Sequence, residues 1–135
     1  KDEGWSSEEL KIRNESRKIL DLPNLRVSAT CVRVPVVTTH SVAVHAVFER
    51  EATTETAWSI LRDAPGIVLY DDPAKVKHRD DLGGAADPTW VGRVRQSLDE
   101  PRALDLFLCG DNLRKGAALN TAQIAELVAK ELTTA

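Results

Sequence analysis

The sequence predicts an α+β domain, with helices packed on a mixed, largely antiparallel sheet. Three observations predict it. Stretches such as Ser41–Phe48 alternate apolar and polar side chains, as half-buried strands do. Stretches with helical spacing stand near the start, the middle and the end of the chain. The 135 residues suffice for one hydrophobic core and do not call for two.

The first helix is announced by Ser6-Ser7-Glu8-Glu9, in which Ser6 and Glu9 fit a capping box. It runs to about Leu20, and Pro23 closes it off. Glu8, Lys11, Glu15 and Lys18 follow one helical face, a pattern that by itself reads as a solvated face with ion pairs. A strand is expected from about Arg26 to Val37 and a second from about Ser41 to Phe48, with a hairpin or one long bent excursion through Thr38 and Thr39. In TTETAWSILRDA a threonine cap precedes Ala57, Ile60, Leu61 and Ala64 at helical spacing. Pro65-Gly66 ends that helix, and GIVLYDD is a third strand.

From Asp72 to Pro88 the chain is rich in Asp, Lys, Gly and Pro and reads as a long surface loop. Two more strands, TWVGRVRQSL and ALDLFLCG, flank a turn at Asp99-Glu100-Pro101. The last helix lies in DNLRKGAALNTAQIAELVAKEL, with Asn120 and Gln123 as a cap pair and Ile124, Leu127, Val128 and Leu132 on a broad apolar side.

Composition excludes several classes. The net charge is −3 with signs interspersed, so there is no basic footprint for nucleic acid or an anionic membrane. No apolar run approaches the roughly 20 residues of a membrane helix, and the polar start KDEGWSSEEL is not a signal peptide. Cys31 and Cys109 lie far apart without a CxxC, which reads as reduced thiols in a cytoplasmic protein. His40, His45 and His78 form no ligand pattern with them, and His40 and His45 fall on opposite faces of one strand, so no metal is expected. The sequence contains no methionine and opens almost directly into a helix, which points to a piece of a longer polypeptide. There is no G-x-S-x-G elbow, P-loop or G-x-G-x-x-G turn. One residue stands out: Arg33 interrupts TCVRVPVV, a run that otherwise reads as buried strand, so either a protein carboxylate or a ligand must neutralise it.

TCVRVPV, the His40-Ser41 pair seven places after the arginine, VGRVR, DNLRKGAALNTAQIAE and the helix EELKIRNESRKIL together resemble the carboxy-terminal, catalytic and dimerisation domain of the aspartate-semialdehyde dehydrogenase family. The resemblance spans about Ser7 to Leu127, with the motifs in the family's order. It implies a glyceraldehyde-3-phosphate-dehydrogenase-like carboxy-terminal domain and a homodimer or higher oligomer. The activity implied is NADPH-dependent conversion of aspartyl phosphate to aspartate semialdehyde and phosphate, on the route to lysine, methionine and threonine. A cysteine thiolate displaces the phosphate, and hydride from NADPH reduces the resulting thioester.

Carried onto this chain, the family pattern makes Arg33 the grip on the substrate's α-carboxylate and His40 the acid/base. It makes Lys11 the phosphate ligand, Glu8 a substrate contact and Asn112 the residue that reaches the nicotinamide carboxamide. These residue types suit the chemistry. A guanidinium donates two parallel hydrogen bonds to a carboxylate, and lysine is a compact charge for phosphate. A glutamate complements an ammonium, and histidine exchanges protons near neutral pH.

The family's nucleophilic cysteine and Gly-rich nucleotide-binding loop belong to an amino-terminal half that this sequence does not contain, and neither Cys31 nor Cys109 takes the nucleophile's place. The expectation is therefore a domain inactive by itself, with NADP bound mainly elsewhere. Two other readings stay open: a stand-alone dimerisation or binding module that keeps the fold without the chemistry, and a related acyl-phosphate reductase with another substrate.

Overall fold

The structure, a computed structural model, describes residues 3–72 and 87–134. The chain divides into two compact units, Lys1–Val36 and Val37–Ala135. Most of the loop expected over 72–88, His78 included, lies outside the described residues.

In the first unit, α1 spans Ser7–Ile19. Its capping box forms as the sequence predicts: the Ser6 hydroxyl accepts the Glu9 N–H at 3.3 Å, and the Glu9 carboxylate accepts the Ser6 N–H at 2.8 Å. Glu8 and Glu9 in the first turn and Arg17 and Lys18 in the last complement the helix dipole. Beyond the helix, Arg17 Nε donates to the Leu25 carbonyl at 2.7 Å.

The strand expected over Arg26–Val37 does not form. Residues 25–34 join no sheet ladder, and Pro35, which has no N–H, is the central residue of a tight turn in which Val36 N–H donates to the Val34 carbonyl at 2.8 Å. The valines that looked buried are exposed, Val32 at 74% and Val37 at 94%. They share β-propensity with a strand, but a strand also needs a neighbour, and no described strand lies against them.

The second unit is built on a four-stranded sheet of β1 (Thr39–Val47), β2 (Ile67–Leu69), β3 (Thr89–Gln96) and β4 (Ala103–Asp111). Their spatial order is β1-β4-β3-β2. The β1–β4 and β3–β4 pairs are antiparallel and the β2–β3 pair is parallel, so the sheet is mixed and largely antiparallel, with four strands where five were expected. β1 forms no hairpin with the preceding segment. It pairs along its whole length with β4, from Thr39 opposite Asp111 to Val47 opposite Ala103.

Helix α2 (Thr54–Asp63) starts where the Thr53 hydroxyl accepts the Thr56 N–H at 3.2 Å. It ends before Pro65-Gly66, where Gly66 takes φ 71°, a left-handed turn that suits glycine. The helix packs on β2 and β3. Trp58 Nε1 donates to Asp71 Oδ2 at 2.7 Å, and the same oxygen accepts the Val94 N–H at 3.0 Å. That carboxylate steadies a β-bulge between Gly92 and Arg95, where Arg93 adopts φ 55°. The buried core beside it is Val91, Val94, Ala103 and Leu104.

After β4 a π-helical turn, Arg114–Ala118, runs directly into α3 (Leu119–Thr134). Because α3 continues an existing helix, it needs no N-cap, and the Asn120–Gln123 cap pair does not form. Lys115 Nζ instead donates to Gln123 Oε1 at 2.7 Å and to Asn120 Oδ1 at 3.3 Å. The apolar side of α3 is open: Ile124, Leu127, Val128 and Leu132 are all exposed.

Candidate functional site

The first unit carries Glu8, Lys11 and Arg33. Glu8 and Lys11 stand three residues apart on α1 and so share a face, and both are exposed. Arg33 is exposed on the irregular segment after α1 and makes no ion pair with any described residue. Its setting corrects the sequence reading: Arg33 is not a cation inside a buried strand, so burial does not demand a partner for it. Glu9 joins the two elements, its Oε1 accepting the Cys31 N–H at 2.9 Å, two residues before Arg33. The Ser6 backbone N–H, and after it that of Cys31, hold the Glu9 carboxyl below its ordinary value of 4.5. Beside it, Trp5, Leu10, Arg13, Val27 and Ala29 line a shallow cleft of about 230 Å³.

The second unit carries His40 and Asn112. His40 is exposed near the start of β1, opposite Gly110 of β4. Asn112 follows β4 directly and extends the pairing, its N–H donating to the Thr38 carbonyl at 2.7 Å. Adjacent strand ends therefore carry the two candidates. The Thr38 and Thr39 hydroxyls next to His40 are buried without a hydrogen-bond partner among the described residues, so polar capacity is left over at this strand end.

Past Asn112 the chain turns because Asp111 Oδ1 accepts the N–H groups of Leu113 at 2.9 Å and Arg114 at 3.1 Å. Gly116 sits in the π-helical turn that follows, without a left-handed φ to explain it. A Cβ there would stand 3.1 Å from Asn112 Oδ1, so glycine leaves room for the asparagine side chain. On the other face of β1, His45 Nδ1 lies 3.0 Å from Asp105 Oδ1, so the two histidines point apart as strand alternation requires. Among the described residues no three His, Cys, Asp or Glu side chains form a group that could hold a metal.

The semialdehyde dehydrogenase dimerisation-domain family model matches residues 1–115. The chain belongs to that family. As a semialdehyde dehydrogenase dimerisation domain it is 50% identical over 127 residues to the aspartate-semialdehyde dehydrogenase of Streptomyces akiyoshiensis, covering 94% of this chain and 36% of the relative. It is 43% identical over 132 residues to the Bacillus subtilis enzyme, covering 96% of this chain and 38% of that one. Aspartate semialdehyde dehydrogenase II from Vibrio cholerae, solved also in complex with ASA, superposes with a TM-score of 0.87 at 38% identity, covering 96% of this chain and 38% of that one. The domain thus spans little more than a third of the relatives it matches. The resemblance to the carboxy-terminal domain of aspartate-semialdehyde dehydrogenases and the α+β fold it implied are both borne out.

Two features of the site escaped the sequence. The capping box predicts Glu9's bond to Ser6, but its bond to Cys31 joins residues 22 apart and has no local signature. The glycine of DNLRKG was visible, but its reason, the Asn112 side chain, is not.

Proposed function

We propose that this domain holds the substrate and forms the dimer of an NADP-dependent aspartate-semialdehyde dehydrogenase, which reductively dephosphorylates aspartyl phosphate to aspartate semialdehyde. The observation that supports it most is the exposed Glu8–Lys11–Arg33 set on one compact unit of a domain belonging to this family. Aspartyl phosphate carries an ammonium, a phosphate and a carboxylate, the three groups that these side chains complement. Arg33 binds and orients the α-carboxylate, Lys11 holds the phosphate and Glu8 faces the ammonium.

His40 moves the proton: a ring nitrogen accepts it from the attacking thiol and gives it to the departing phosphate oxygen as the tetrahedral adduct collapses to the thioester. Asn112, half-buried and held by its backbone N–H at the Thr38 carbonyl, offers through its side chain a carbonyl and an amide group to a carboxamide and so fits the nicotinamide end of the cofactor. Bound NADPH supplies the hydride. The thiol comes from outside these residues, so the isolated domain does not turn over.

The exposed apolar residues Val47 and Phe107, on one face of the sheet, suit a second copy of the chain as partner. No helix among the described residues is long and apolar enough to cross a membrane, which is compatible with a cytoplasmic enzyme.

The test uses the full-length enzyme. His40→Ala should lower kcat by roughly 10²–10⁴-fold. Arg33→Lys, which loses the two-pronged grip, should lower kcat/KM for aspartate semialdehyde roughly ten- to a hundredfold. Near-normal kinetics in both would remove the assignment. Comparing aspartyl with N-acylglutamyl phosphate as substrates separates this enzyme from a related reductase.

A further inference from the structure

We propose that Glu9 is a positioning residue that sets where Arg33 stands relative to Glu8 and Lys11. The inference rests on the reading of those three as the substrate grip. Glu9 is adjacent to Glu8 on α1 and lines the cleft beside it. Its two oxygens take two backbone donors from different places. Oε2 accepts the Ser6 N–H at 2.8 Å and fixes the start of α1, and Oε1 accepts the Cys31 N–H at 2.9 Å.

Cys31 lies two residues before Arg33, so holding its backbone against α1 restricts where the Arg33 backbone can stand. This matters because the other side-chain hydrogen bond to that stretch among the described residues, Arg17 Nε to the Leu25 carbonyl, lies eight residues before Arg33. Residues 25–34 have no sheet ladder, and Arg33 itself is exposed. The carboxyl is held below its ordinary value by the same two backbone donors, so the ionised acceptor is the form present at neutral pH. One side chain therefore caps the helix that carries two substrate ligands and tethers the segment that carries the third.

Capping and tethering separate experimentally. Ser6→Ala removes the hydroxyl that accepts the Glu9 N–H but leaves Glu9 free to hold Cys31. Glu9→Ala removes both functions without lowering the helix propensity of the site. In the full-length enzyme, Glu9→Ala should raise KM for aspartate semialdehyde about three- to tenfold, less than a direct loss at Arg33 because the guanidinium itself remains, with a smaller change in kcat. Ser6→Ala should leave KM near the native value.

Amide hydrogen exchange gives a readout independent of turnover: the Cys31 N–H should lose protection in Glu9→Ala and keep it in Ser6→Ala. Glu9→Gln, whose amide can satisfy only one of the two donors as an acceptor, should fall between native and Glu9→Ala. Equal KM increases in Ser6→Ala and Glu9→Ala would reduce Glu9 to a cap and overturn the proposal. So would a native KM in Glu9→Ala when Arg33→Lys raises it. If Arg33→Lys is itself without effect, the substrate-grip reading falls instead, a different result from the failure of the tether.

Discussion

The unit that ends at Val36 and the unit that begins at Val37 hold their shape by different means. In the second, backbone ladders join four strands, α2 packs on the sheet, and Val91, Val94, Ala103 and Leu104 are buried. In the first, no described residue is buried, and single side-chain hydrogen bonds, Glu9 to Cys31 and Arg17 to Leu25, join a helix to the irregular segment after it. A core shares its load over many contacts, whereas a single hydrogen bond has no neighbour to compensate for it. Substitutions in the sheet unit should therefore appear first as lost stability, and those in the helix unit first as altered geometry of the proposed substrate grip.

The sharpest test of that difference is Leu104→Ala, which opens a cavity in the buried core of the sheet. It should cost roughly 2–5 kcal/mol in denaturant unfolding. Ile12→Ala on α1, where the side chain is 43% exposed, should cost far less. Comparable losses at the two positions would break the distinction.

Gly92→Ala comes next. A Cβ there would stand 2.3 Å from the Tyr70 carbonyl oxygen, and backbone lies on both sides of the clash, so the parallel β2–β3 pairing must yield. The expected cost is about 1–3 kcal/mol. A neutral effect, read from the same unfolding curves, would mean that the short β2 strand adds little to the unit.

The same contrast separates what the sequence revealed from what it hid. Local rules carried α1, whose capping box spans three residues, and β1, whose alternation marks its two faces. They also carried α2, whose start Thr53 announces. They failed at Arg26–Val37, because strand formation is a property of a pair, and valine content reports a preference without a partner. The same error made Arg33 look buried. At Asn120 and Gln123 the cap rule was applied to a helix that had already begun in the π-helical turn, and Lys115 took both side chains.

Of the candidate site, the residue types at Glu8, Lys11, Arg33, His40 and Asn112 could be chosen from motifs. Which of them share a unit, and that Glu9 joins α1 to the Arg33 segment, could not, because both depend on residues far apart in the chain.

The smallest expected effect is a titration, and it compares the units through one carboxylate in each. The folded-state values of Glu9 and Glu100 both lie below 4.5, Glu9 through the backbone donors of Ser6 and Cys31, Glu100 chiefly through the Arg102 side chain. A carboxyl whose folded value is depressed stabilises the fold fully above its unfolded value. That stabilisation declines as pH falls below about 4.5 and is gone once pH has passed the depressed value.

For Glu9 the consequence is non-local: the amide signals of Ser6 and Cys31 should shift together with one midpoint below 4.5, although 25 residues separate them in sequence. For Glu100 the change should stay within its own turn, at Arg102, whose side chain lies 3.0 Å away. Added salt should weaken the Glu100–Arg102 pair, because both partners are charged and at the surface, while the two neutral donors on Glu9 respond less. Separate midpoints for Ser6 and Cys31 would mean that the two oxygens of Glu9 do not act as one tether. Coincident ones would make the helix unit's geometry, unlike the sheet's, dependent on a single proton.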